Sequence, residues 1–131
     1  FVDAELGEFA FEQRLGWKKR ILLGKIEAEI VFGSDGEPPS GTLVHNAKAW
    51  IEAWENQLPK IHEYIRAEFG NWADEPNLPD ARELEVESLN FLWKDRPEIC
   101  LIYFNSPGDD DRLWHVTLDG FDPQAFAYDD C

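Results

Sequence analysis

The chain has 131 residues, with 27 Asp plus Glu against 12 Lys plus Arg and a formal charge of -15, yet it also carries 6 Trp and 9 Phe. That aromatic content excludes a disordered acidic tail and predicts one folded, strongly electronegative domain over 1–131. No run of about 18 apolar residues is present to span a bilayer, which excludes a membrane-crossing helix. The charge is uneven: residues 1–70 hold 12 acids and 8 bases, whereas residues 71–131 hold 15 acids and 4 bases.

The chain opens on Phe1 and holds no Met, so an initiator and a short leader are expected to precede it. Asp3 and Glu5 replace the basic-then-apolar pattern of a signal peptide, which points to a cytoplasmic protein. The first segment, 1–33, alternates. Phe9 and Phe11 share one face of Glu8 to Gln13, Trp17 to Leu23 is a second strand, and Ile26, Ala28, Ile30 and Phe32 alternate with Glu27, Glu29 and Val31 in a third. Gly33 to Gly41, with Pro38 and Pro39, then ends the strands.

Across 42–69 the period changes. Leu43, Ala47, Trp50, Trp54, Leu58, Ile61, Ile65 and Phe69 recur at steps of three and four, and Thr42 is the expected N-cap. Pro59 removes a helical donor, so a kink or two abutting helices broken at Leu58 is expected. Trp50, Trp54 and Trp72 are placed in the core by this phase. Residues 72–80 read as a loop with Pro76 and Pro79.

Strands resume over 83–119: Leu84 to Trp93, Glu98 to Asn105, and Leu113 to Leu118, with Trp93 and Trp114 expected to pair across strands. Asp109, Asp110 and Asp111 read as a solvated hairpin loop, and residues 120–131 as an acidic tail in which Phe121, Phe126 or Tyr128 would be exposed interface anchors. The order β-β-β-α-α-β-β-β predicts an α+β domain, an antiparallel sheet of about six strands with the helices on one face.

Catalytic and cofactor patterns are absent from the spacing, and no cofactor is expected. The three consecutive aspartates lack the alternation and closing Glu of a calcium loop. His45, His62 and His115 have no partner at zinc-ligand spacing, and solvent-facing roles are the default for His45 and His62. Cys100 sits in an apolar run and reads as a buried hydrophobe, while Cys131 reads as a flexible terminal thiol. Ser34, Ser40, Ser88 and Ser106 lack a nucleophile-elbow context. Trp17-Lys18-Lys19-Arg20 is the one basic cluster, too small to hold a polyanion against the net charge, so nucleic acid is excluded and these cations are expected on an exposed strand face balancing acids nearby, or blunting a sheet edge.

Leu6-Gly7-Glu8-Phe9, the Trp17 strand, the mid-chain amphipathic helix and the late acidic meander together resemble small uncharacterised acidic bacterial α+β domains, similar to immunity proteins of polymorphic toxin systems. The resemblance implies an acidic protein-binding module that neutralises a bacterial toxin at its basic surface or active site. The charge distribution independently favours a basic protein partner. Asp74, Glu75, Asp80, Asp109, Asp110, Asp111, Asp119, Asp122, Asp129 and Asp130 are the expected contacts, being acids of the second half in expected loops or tail. Two other classes stay open: a small hydrolase or ligand-binding enzyme with a dispersed site such as His115 and Glu98, and an adaptor subunit of a larger assembly.

Overall fold

The computed structural model describes residues 1–72 and 74–130. Its main body is a seven-stranded sheet in the order β3-β4-β5-β6-β7-β8-β9. The strands are β3 (Ala10–Glu12), β4 (Gly16–Leu23), β5 (Ile26–Phe32), β6 (Glu85–Phe91), β7 (Ile99–Ser106), β8 (Asp109–Asp119) and β9 (Asp122–Asp130). A small hairpin, β1 (Val2–Asp3) with β2 (Gly7–Glu8), precedes them, and one helix, α1 (Gly41–Gly70), lies between β5 and β6.

Strand parity explains the layering. Successive residues point to opposite faces, and the register sets Ile30 beside Leu89, Leu89 beside Ile102, Ile102 beside Val116 and Val116 beside Phe126. All five are buried, and with Phe32, Phe91, Phe104, Trp114 and Leu118 they form the floor on which α1 packs. The helix contributes Leu43, Ala47, Trp50, Trp54, Ile61 and Ile65, each buried, at the spacing that keeps one stripe on the sheet. The opposite face carries Lys18, Arg20, Glu29, Tyr103, His115 and Thr117. Val31, Asn90 and Leu101 lie on this face too, Val31 and Asn90 buried.

Four features differ from the sequence expectation. First, α1 is one helix of 30 residues, not two. Pro59 does remove a donor, but the buried stripe stays in phase across it, from Trp50 and Trp54 to Ile61 and Ile65, so packing holds the helix together. Second, the sheet is mixed: β5 and β6 run parallel, Ile30 opposite Leu89, because α1 returns the chain across the sheet before β6 begins. Third, the expected tail is the seventh strand, β9, paired with β8 through Val116–Phe126 and Trp114–Tyr128. Fourth, Asp109 to Asp111 open β8, and the turn is made by Pro107 and Gly108.

Smaller corrections follow. Ser40, not Thr42, is the N-cap: its hydroxyl accepts from the Leu43 amide at 3.2 Å, while Thr42 is already inside the helix. Trp93 lies past the end of β6 and is exposed, so it does not pair with Trp114, whose neighbours across the strands are Phe104 and Tyr128. The Glu8 to Gln13 strand is broken at Phe9, with Glu8 joining the small hairpin and Ala10–Glu12 the main sheet. Gly16 has a φ of 125°, and a Cβ there would run into the Phe32 carbonyl, so this entry into β4 requires glycine. Cys100 is fully buried, which pushes its thiol well above the ordinary range. The Cys131 expectation falls outside the described residues.

The cap assignment is testable by urea unfolding. Ser40→Ala should lose about 1 kcal/mol, the usual worth of an N-cap side chain, and Thr42→Ala distinctly less. Equal losses would contradict it.

Candidate functional site

The acids singled out by sequence fall into two groups at opposite ends of the β8–β9 hairpin. Asp119 and Asp122 face each other across its closing turn. At the far end Arg112 pairs with Asp130 and Leu113 with Asp129 in the strand register, and Asp109, Asp110 and Asp111 lie just beyond. Glu75 and Glu83, with Asp109, Asp110, Asp111 and Asp130, line an open depression of about 650 Å³ at this end. Asp74 is exposed in the turn beside it, and Asp80 is set apart, capping the short 3-10 turn Ala81–Glu83.

These carboxylates are not equivalent. Asp109 is half-buried: burial raises its carboxyl, but the Arg112 guanidinium at 2.9 Å and the Asp111 and Arg112 amides outweigh that and hold it below the ordinary value. Arg112 also donates to the Asn77 carbonyl at 2.8 Å and lies over the Trp114 and Tyr128 rings at 4.7 and 5.6 Å. Glu75 accepts from the Tyr128 hydroxyl, a contact that raises the phenol's pKa. Asp80 is held down by the Arg82 guanidinium, bound at 3.0 Å, and by the Arg82 amide. Asp74, Asp110, Asp111, Asp119, Asp122 and Asp130 are exposed.

Consecutive strand residues point to opposite faces, so Asp109, Asp110 and Asp111 cannot converge on one ion. Among the described residues no group of three or more His, Cys, Asp or Glu is placed to hold a metal. Of the tail aromatics expected to be exposed, Phe121 is, at 41%, with its ring edge-on to Trp50, whereas Phe126 is 8% exposed and stacked on Trp72 at 5.3 Å and Tyr128 is half-buried.

His115 and Glu98 are not brought together. Glu98 accepts the Gly120 amide through its backbone, whereas His115 sits opposite Tyr103, about 16 Å further along β7. The carboxylate beside His115 is Asp129, 3.4 Å from Nε2, on the sheet face that α1 leaves uncovered. Lys18 and Arg20 lie on that same face, within ion-pair distance of Glu12 and Glu27.

Two residues escaped the sequence reading. Arg112 organises the acidic end, and its signal was available: Asp109 three residues earlier and Trp114 two residues later on the same strand face. His62 was expected in water but is half-buried on a groove of about 970 Å³ between α1, the β4–β5 hairpin and residues 78–82. Burial pushes its imidazole below the ordinary value, against the Leu84 carbonyl and Asp80, and its shielded Nε2 has no hydrogen-bond partner among the described residues. Comparison of the chain with protein-family models, curated proteins and solved structures gave no match.

Two outcomes follow. Arg112→Met keeps an apolar stem over Trp114 but leaves Asp109 without its cation. Stability should fall by about 1–3 kcal/mol, and the Asp109 carboxyl resonance should titrate at higher pH. An unmoved titration would contradict the pairing. The unfolded chain protonates His62 near 6.5 and the folded chain only lower. The stability linked to His62 is therefore complete above pH 6.5 and lost as pH falls through the folded value. Between pH 7.5 and 5.5 the urea midpoint of the native chain should fall relative to that of His62→Gln. Parallel curves would contradict it.

Proposed function

We propose that this chain is an acidic protein-binding module that takes a basic protein partner, and that, as its resemblance suggests, it acts as an immunity protein covering the basic surface or active site of a bacterial toxin. The observation that supports this reading best is the charge balance of the β8–β9 hairpin. Residues 109–130 hold seven carboxylates and a single Lys or Arg, Arg112, and that cation is satisfied within the fold by Asp109 and the Asn77 carbonyl. The hairpin therefore carries a large excess of exposed negative charge, at Asp110, Asp111, Asp119, Asp122 and Asp130.

Such a surface steers a cationic partner. Complementary fields raise association rates by about 10 to 1000-fold and fade with added salt. At physiological ionic strength the screening length is about 8 Å, so the carboxylates at each end act together locally while the two ends act as separate contacts. The bound form then needs a partner whose cations are spread along the hairpin. The dispersed hydrolase site expected at His115 and Glu98 is not assembled: the carboxylate beside His115 is Asp129, which is largely exposed on the open sheet face.

The test is retention of partners from the native cell on the immobilised chain at low and high salt, alongside a variant with Asp110, Asp111, Asp119 and Asp122 each changed to Asn. A basic protein should be retained by the native chain at low salt and released by salt, and the variant, with unchanged circular dichroism, should bind it about tenfold more slowly or worse. Binding that ignores both salt and the four substitutions would sink the proposal.

A further inference from the structure

The geometry points to the outer edge of β9 as the place where a basic partner is held, by addition of one extended basic segment to the sheet as an eighth strand. This rests on the proposed function for its charge and goes beyond it in naming the surface and the shape of the partner.

β9 pairs with β8 on one side only, and among the described residues no backbone hydrogen bond reaches its other side. Pro123 has no amide and the register shifts beside it, so the regular template runs from Gln124 to Tyr128, where alternate amides and carbonyls point outward over about 16 Å. The opposite edge is β3, three residues long, and beyond it residues 19–23 of β4, where Lys19 and Arg20 would repel a basic segment. The strand is also well supported from within. Phe126 is buried against Trp72 and Trp114, and Tyr128 is fastened to Glu75. The other parity carries Ala125 and Ala127 at the centre, small side chains that let a neighbouring backbone approach, and then Asp129, which sits 3.4 Å from His115 Nε2.

Charge selects the occupant. The centre, Gln124 to Tyr128, is uncharged, and acids bracket it: Asp119 and Asp122 at one end, Asp110, Asp111 and Asp130 at the other. Asp122 and Asp130 are eight residues apart, about 26 Å along the strand. A second copy of β9 laid antiparallel would set Asp122 against Asp130 of its neighbour at both ends, and a parallel copy would set each acid beside itself. Like charges directly opposite are destabilising in either alignment. A segment with Lys or Arg at both ends and a β-forming centre meets the edge with backbone bonds in the middle and opposite charges at the ends, which is strand addition with electrostatic register.

The experiment uses a capped synthetic peptide with two lysines at each end and a Val-Thr-Val-Thr-Val centre, and the same peptide with every second amide N-methylated, which has equal charge but cannot complete a ladder. Affinity at low salt and amide hydrogen exchange of the full chain are read together. The unmodified peptide is expected to bind about tenfold tighter or more and to slow exchange at alternate amides between Gln124 and Tyr128. Asp122→Lys with Asp130→Lys, folded by circular dichroism, should abolish that protection. Equal binding of both peptides without protection of β9 overturns strand addition and leaves charge-driven binding standing. Binding of neither peptide overturns strand addition and counts against the acidic-module reading as well. Protection of the same amides in the chain alone, rising with its concentration and with its sedimenting mass, would identify a second copy as the occupant and overturn the inference too.

Discussion

One helix covers one face of a seven-stranded sheet, and most of the molecule follows from that single packing contact. The stripe from Leu43 through Trp50 and Trp54 to Ile65 sits on the row of Ile30, Leu89, Ile102, Val116 and Phe126, and these apolar surfaces exclude water only while α1 stays continuous and in phase. It keeps Pro59 inside the helix and sets β6 parallel to β5, since the chain crosses the sheet once before resuming. It also leaves the remote face to a mixture of charged and polar residues with Val31, Ile99 and Leu101.

Satisfaction of polar groups then becomes a matter of position. In the middle of the uncovered face Asn90 is buried, and its amide donates to the Ser88 hydroxyl and the Leu101 carbonyl, both at 2.9 Å. At the sheet's end Arg112 joins the aromatic layer to the acidic rim: its stem and charge lie over Trp114 and Tyr128 while its nitrogens hold Asp109 and Asn77. A cation stacked on buried rings and bonded to a carboxylate supports both. The acidic surface is thus an extension of the core, fixed by it.

Much of this was legible in the chain. The strict period of two over Ile26–Phe32 marked β5 to the residue, and the three-four spacing located α1 to within one residue at each end. What misled was local chemistry overruled by tertiary contact. Pro59 breaks isolated helices, but the stripe beyond it had somewhere to be buried. Pro123 with Asp122, Asp129 and Asp130 disguised β9 as a tail, although Phe126 and Tyr128 already alternate with alanines in strand period. The parallel link was hidden because pairing partners 59 positions apart, such as Ile30 and Leu89, leave no local trace. For the site, sequence identified which residues are acidic and held the Asp109–Arg112 spacing; only the register of β8 and β9 shows that the acids gather at two ends of one hairpin.

The β5–β6 link has a kinetic side. Every other strand pairing among the described residues closes a hairpin, so β3-β4-β5 and β6-β7-β8-β9 are two meanders assembled from near neighbours. Hairpins form in about 1–10 μs, whereas joining the two meanders must bring distant residues together over the intervening helix. Loop-closure entropy is spent there before any contact rewards it. The seam between β5 and β6 is therefore the step at which this chain commits to its native topology.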